Sequence, residues 1–220
     1  MWNDTELKHD VENELCWELS AGLKQISVAV KSGAVELAGH VDTFWEKCAA
    51  ERAAWCVAHV NHVTNGIRVV VPFNQQRGDD DVALAAMSSL EWNCLVPETV
   101  EVAVAEGWVT LSGTVERQQQ KEEAERALCT LKGITGIHNN IVIQPSVSLA
   151  DVKAPLEAAL RRNALVDSSR IKAQVNHGVV GLRGTARSRA EYEEAMHAAW
   201  AAPGVTRIED HITIGSGRSE

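Results

Sequence analysis

The sequence predicts an α+β fold made of three tandem αββαβ units. Each unit is read as a three-stranded mixed sheet covered on one face by two helices. Three observations predict it. First, Gly33-Ala34-Val35-Glu36-Leu37-Ala38-Gly39-His40-Val41 recurs as Gly107-Trp108-Val109-Thr110-Leu111-Ser112-Gly113-Thr114-Val115 and as Gly178-Val179-Val180-Gly181-Leu182-Arg183-Gly184-Thr185-Ala186. Second, the offsets between these segments, 107−33 = 74 and 178−107 = 71, also carry Val60, Val63, Asn65, Ile67 and Val69 onto Ile134, Ile137, Asn139, Ile141 and Ile143. They then continue to Val205, Ile208, Asp210, Ile212 and Ile214. Third, the apolar spacing within each copy switches from a helical to a strand period, and a repeat of this length matches a small domain rather than a solenoid turn.

The elements follow in order. Leu7, Val11 and Leu15 are spaced by four, as are Val152, Leu156 and Leu160, so each copy opens with an amphipathic helix. Ile26-x-Val28-x-Val30 and Val35-x-Leu37-x-Gly39-x-Val41 alternate with period two around Lys31-Ser32-Gly33, which predicts a β-hairpin whose glycine takes positive φ. A second helix starts at Thr43-x-x-Glu46 and Ser188-x-x-Glu191, both with capping-box spacing, whereas Arg117 occupies that place in copy two. Ile67-x-Val69 and its equivalents close each copy as a third strand. Gly39, Gly113 and Gly184 sit inside the second strand, where glycine weakens pairing. Their recurrence predicts a close pass of a helix backbone or a bulge. The domains read as residues 4–71, 79–145 and 149–214. The short linkers Pro72–Gly78 and Gln144–Val147 predict units held close together as an array, and the tail Gly215–Glu220 reads as disordered.

Composition narrows the function classes. The 220 residues are 45% hydrophobic and 23% charged, which excludes disordered and collagen-like chains. Lys+Arg 21 against Asp+Glu 30 gives −9, which argues against a nucleic-acid binder that relies on bulk positive charge. No apolar run approaches the ~20 residues of a membrane-spanning helix. The acidic start Met1–Leu7 lacks the apolar region of a secretory signal, and five widely spaced cysteines read as reduced thiols, so the expected location is cytoplasmic.

A helix, G-x-V-x-L-x-G-x-V, a second helix and a closing V-x-x-V-x-N-x-I-x-V together resemble the BON-domain family, named for bacterial OsmY and nodulation proteins. The resemblance spans almost the whole chain as three tandem OsmY-like BON domains. It implies a small αββαβ sandwich, no catalytic activity and no cofactor. It further implies a role in osmotic or envelope stress, with phospholipid binding as the activity often described. Exported family members are periplasmic, which is the alternative location.

Catalytic signatures are sparse. The sequence holds no Gly-x-Ser-x-Gly, P-loop or Rossmann fingerprint. Glu122, Glu123 and Glu125 share a helix with Arg117, Lys121 and Arg126 and read as a solvated, salt-bridged face. Cys56-x-x-His59-x-x-His62 has spacing that a metal could use, with Cys48 as a further ligand. The favoured reading is a buried thiol beside two exposed imidazoles, with Cys129 as the copy-two counterpart of Cys56, and no metal.

Two features point to a binding surface instead. Trp17 and Trp92 lie off the buried stripe near the ends of the first helices and are candidates for exposed anchors, while Trp55 and Trp200 are expected to pack on the sheets. Charge is also unevenly shared. Residues 1–74 carry 6 basic and 10 acidic side chains (−4), residues 75–148 carry 5 and 11 (−6), and residues 149–220 carry 10 and 9 (+1). Arg161, Arg162, Arg170, Lys172, Arg183, Arg187 and Arg189 concentrate in copy three. With Trp17 and Trp92 they form the candidate surface for anionic phospholipid, a membrane surface or a protein partner, with no nucleic acid. A basic copy three docking on an acidic copy one or two, within or between chains, is a further expectation.

Overall fold

A computed structural model describes residues 3–19, 25–145, 156, 158–159, 162, 166, 169–176, 178–202 and 204–215. Copy one runs α1 (Asp4–Leu19), β1 (Ile26–Lys31), β2 (Ala34–Val41), α2 (Phe44–Cys56) and β3 (His62–Val69). A 3-10 turn at Phe73–Gln75 leads to copy two: α3 (Asp79–Glu91), β4 (Val100–Ala105), β5 (Trp108–Val115), α4 (Gln118–Leu128), β6 (Gly136–Asn139) and β7 (Val142–Ile143). Copy three contributes β8 (Ile171–Asn176), β9 (Val179–Ala186), α5 (Arg189–Ala201) and β10 (Arg207–Ile214). Of its expected first helix, Leu156 is helical and fully buried, while Val152 and Leu160 lie outside the described residues. Residues 216–220 of the tail lie outside them as well.

Each copy has the predicted mixed sheet. β2 lies between β1, antiparallel to it, and β3, parallel to it; β9 is placed in the same way between β8 and β10. In copy two the third strand is interrupted into β6 and β7, both parallel to β5, and the register runs through unchanged from Leu111↔Asn139 to Thr114↔Val142. By compactness the chain divides into two units, Met1–Gly113 with Glu123–Asn140, and Thr114–Glu122 with Ile141–Glu220.

The core follows the predicted stripes. Leu7, Val11 and Leu15 of α1 are buried with Val35, Leu37 and Val41 of β2 and with Ile67 of β3. The buried face of α2 is Ala49, Ala50, Ala53 and Ala54, whose small side chains let the helix backbone lie close to its neighbours. Trp55 and Trp200 are half-buried against their respective cores, as their positions predict. The first helix of copy two runs one residue out of step with the strands. Its buried Val82, Ala86 and Leu90 match Leu7, Val11 and Leu15 at an offset of 75 rather than 74.

Local chemistry sets the element boundaries. Thr43 and Glu46 form a reciprocal capping box. Ser188 Oγ accepts from the Glu191 N–H at 3.2 Å, and the Glu191 carboxylate accepts from the Arg187 N–H at 2.7 Å. Where Arg117 replaces the capping residue, Gln120 Oε1 accepts from the N–H groups of Glu116 and Arg117, and the helix still begins at Gln118. The hairpins turn through two residues of positive φ, Ser32 (51°) with Gly33 (82°) and Glu106 (52°) with Gly107 (75°), as a type I′ turn needs. An aspartate at the start of the first helix holds each turn: Asp4 accepts from Ser32 N–H, and Asp79 accepts from Glu106 and Gly107 N–H.

The recurrent second-strand glycine has a different cause from the expected pass of a helix. Gly39, Gly113 and Gly184 have φ of 127°, 119° and 142°. A Cβ on them would lie 1.9, 2.1 and 1.9 Å from the carbonyl oxygens of Gln25, Thr99 and Arg170. The close neighbour is therefore the chain entering the first strand, not a helix. The repeated asparagine is a tie between third strand and second helix. Asn65 Nδ2 donates to Lys47 O and Glu51 Oε2, and Asn139 Nδ2 donates to Glu125 Oε2. In copy three Asp210 replaces it and accepts from the Tyr192 hydroxyl at 2.8 Å.

Candidate functional site

Of the copy-three cations, Arg161 lies outside the described residues, and Arg162 and Arg170 are exposed. Arg187 is 3.8 Å from the Glu191 carboxylate, and Arg189 pairs with Glu193 at 2.7 Å and lies 4.6 Å over the Tyr192 ring. These two serve α5. Lys172 and Arg183 are placed otherwise: both are exposed, and neither is ion-paired with any described residue.

Strand alternation explains why they meet. On β8, Lys172 and Gln174 point away from the core; on β9, Gly181 and Arg183 do so, and on β10, Arg207, Glu209 and His211. Register sets Lys172 opposite Arg183, and Arg183 opposite His211. The next row is Gln174, Gly181 and Glu209. Directly opposed side chains in a sheet have Cβ atoms ~5 Å apart, so the first row brings the cationic Lys172 and Arg183 side by side, an arrangement that opposes strand pairing, with the His211 imidazole next to Arg183. A groove of ≈ 660 Å³ lies over these rows, lined by Gln174, Val175, Gly181, Arg183, Glu209 and His211 among others. Glu209 also pairs with Arg207.

The other copies do not repeat this face. The Lys172, Arg183 and His211 positions are Glu101, Ser112 and Asn140 in copy two, and Ser27, Ala38 and Gly66 in copy one. In copy two Trp108 crosses the sheet over its partner Gly136, where a Cβ would lie 2.4 Å from the ring, and stacks on His138 at 4.6 Å. His211, Gly181 and the Trp108 cover were not singled out in the sequence. The repeat offsets and strand alternation together are the signal that finds them.

The predicted exposed tryptophans are exposed: Trp17 by 83% and Trp92 by 90%. They belong to one compact unit and the copy-three cations to the other. Leu84 and Met87 on the outer side of α3 and Leu95 beyond it are exposed too. Asp79, Asp80 and Asp81 begin that helix.

The cysteine–histidine motif does not assemble. Cys56 is exposed at the end of α2 rather than buried; His59 and His62 are also exposed, and no cluster of three or more His, Cys, Asp or Glu placed to hold a metal occurs among the described residues. Cys129 is the counterpart of Trp55 and Trp200, one position before that of Cys56, and is half-buried. It shares a hydrogen bond with Cys48, and that contact, with burial, raises the Cys48 thiol pKa.

Tandem αββαβ units define a class of small-domain repeat proteins whose exposed faces carry the differences between copies, and no metal-holding cluster of His, Cys, Asp or Glu occurs among the described residues. The BON domain model matches residues 3–71, 78–145 and 148–216, and the chain belongs to the BON-domain family. It is similar to osmotically-inducible protein Y of Escherichia coli (strain K12), 30% identical over 113 residues, covering 47% of this chain and 56% of that protein. The chain thus aligns with little more than half of that relative. Among solved structures it shows likeness to CdsD, a structural protein of the type III secretion system of Chlamydia trachomatis. That match has 14% identity and a TM-score of 0.27, covering 95% of this chain and 92% of that one. The periplasmic domain of PrgH, a type III secretion inner-membrane protein of S. typhimurium, matches at 14% identity and a TM-score of 0.22, with 91% and 100% covered. Scores at that level transfer neither arrangement nor role.

Proposed function

We propose that the chain is a non-enzymatic tandem BON-domain binding protein that engages anionic phospholipid, or an envelope-associated partner, in osmotic or envelope stress tolerance. The observation that carries the reading is the set of exposed copy-three cations: Arg162, Arg170, Lys172 and Arg183. The name of the Escherichia coli relative supports the osmotic context. A Lys or Arg near an anionic membrane contributes ~1 kcal/mol, so four acting together give ~4 kcal/mol, about a thousandfold in partitioning. Trp17 and Trp92 supply rings of the kind that settle at a membrane interface. Five free cysteines support a reducing compartment, the cytoplasm, over the periplasm of exported family members.

Flotation with phosphatidylglycerol vesicles tests this. The protein is expected to float at low salt and not with neutral phosphatidylcholine vesicles, and K172E/R183E is expected to stay at the bottom. Failure of the wild-type chain to float at low salt ends the lipid reading. A second reading, a soluble interaction scaffold or chaperone-like stress protein without lipid affinity, is favoured by the exposure of Leu84, Met87, Trp92 and Leu95 along and just beyond α3. Partners lost on Trp92→Ala, with vesicles ignored, would establish it.

A further inference from the structure

We propose that the outer sheet face of copy three is a discrete site for a small, water-borne phosphorylated polyol. Phosphate oxygens are held by Lys172, Arg183 and His211, and hydroxyls by Gln174 and Glu209 over Gly181. This goes beyond membrane attraction and does not require it.

Three observations carry the inference. Lys172 and Arg183 are direct cross-strand neighbours with no ion-pair partner among the described residues, and His211 lies opposite Arg183 on its other side. A bound oxyanion relieves that repulsion and offers the acceptor geometry a guanidinium favours. The adjacent row, Gln174 and Glu209, supplies an amide and a carboxylate that suit hydroxyl groups rather than a second phosphate.

Gly181 is the third observation. Its φ lies outside the left-handed region, and a Cβ there would meet nothing nearer than Gln174 O at 3.8 Å. The fold therefore does not require glycine at this position, unlike at Gly184. A close approach by a ligand is one of the uses of a strand-interior glycine, and it is the one left when the backbone gives no reason. Copies one and two carry Glu36 and Thr110 there.

The ligand is assigned to water rather than to a bilayer because no large apolar side chain is exposed among the described residues of copy three. Nothing on this face would enter an acyl layer. The open groove of ≈ 660 Å³ is lined by Arg183, His211, Gln174, Glu209 and Gly181, and the pairing of Lys172 with Arg183 sets that lysine beside it.

Glycerol phosphate titrated into the full-length chain, read by calorimetry and by backbone amide shifts, is the test. Binding should shift amides of β8, β9 and β10 and leave those of copies one and two in place. Arg183→Met should weaken it tenfold or more. Gly181→Val adds no charge, suits a strand and fills the groove; it should abolish glycerol phosphate binding while the near-UV spectrum and flotation on phosphatidylglycerol vesicles stay unchanged.

Unaltered binding in Gly181→Val, or shifts confined to other copies, overturns the site. Inorganic phosphate binding as tightly as glycerol phosphate overturns the polyol assignment. Vesicle flotation without glycerol phosphate binding sinks this inference and leaves the membrane reading standing; the reverse pattern does the opposite.

Discussion

Gly184→Ala is expected to unfold copy three locally while the other copies keep their protection. The native φ of 142° is a region that residues with a Cβ rarely adopt, and holding one there costs ~1–3 kcal/mol. The new Cβ would also lie 1.9 Å from Arg170 O, 3.0 Å from Arg170 C and 3.1 Å from Ile171 Cα. All three are backbone atoms, so no flexible side chain can yield. The start of β8 has to move by more than 1 Å, which loosens the Ile171↔Gly184 end of the β8–β9 ladder and costs about another 1 kcal/mol. The sum is about 3 kcal/mol, roughly a hundredfold in the opening equilibrium. Amide hydrogen exchange resolved by segment reads this directly: protection in β8, β9 and β10 should fall ~100-fold, with β1, β2 and β3 as the internal reference. Gly181→Ala, three residues away in the same strand, is the control and should be neutral or stabilising by ~0.5–1 kcal/mol. Equal protection in the two variants would refute the close-approach explanation of the recurrent glycine.

The sequence contains one tyrosine, so its phenolate absorbance reports Tyr192 alone. Burial and then the hydrogen bond to Asp210 push that hydroxyl up to about 12 from 10.0, so native-state ionisation should be centred near pH 12, and Asp210→Asn should move it downward. Because the folded pKa is raised, this interaction is intact below pH ~10 and its stabilisation is lost as pH climbs from 10 to 12; Tyr192→Phe should remove that alkaline loss. Asp79→Ala removes the acceptor for Glu106 and Gly107 N–H and should cost ~1–2 kcal/mol in chemical denaturation of copy two, with Asp80→Ala close to neutral. Adding a chelator should leave the melting temperature unchanged; a clear drop would revive a metal at Cys56, His59 and His62.

The elements were legible because each has a one-dimensional signature. The Leu7-Val11-Leu15 stripe, the period-two alternation about Gly33 and the Thr43–Glu46 box are all readable within a window of a few residues, and the structure places each as expected. What stayed hidden depends on register between distant segments. Gly39 looked like a site of close approach, but that Gln25 O makes the approach follows only once Ile26 is paired with Gly39. Seven of the ten cations of copy three, Arg161 to Arg189, looked like one cluster. Helix geometry gives Arg187 and Arg189 to acidic residues one turn away, and strand geometry gathers Lys172, Arg183 and His211, which are 11 and 28 residues apart in sequence.

That separation says where function can vary in a repeat of this kind. Inward positions such as Leu37, Leu111 and Leu182 are fully buried and answer to packing, so any change there has a cost in stability. Outward positions on the same strands answer to nothing in the core, and there the copies differ most: small residues at Ser27 and Ala38, a tryptophan laid over glycine at Trp108 and Gly136, and a cation row at Lys172 and Arg183. Two like charges side by side on a sheet face, with no ion-pair partner among the described residues, are less stable alone than with an anion across them. On the site proposed above, copy three is the copy whose outer face takes up an anion from outside the chain.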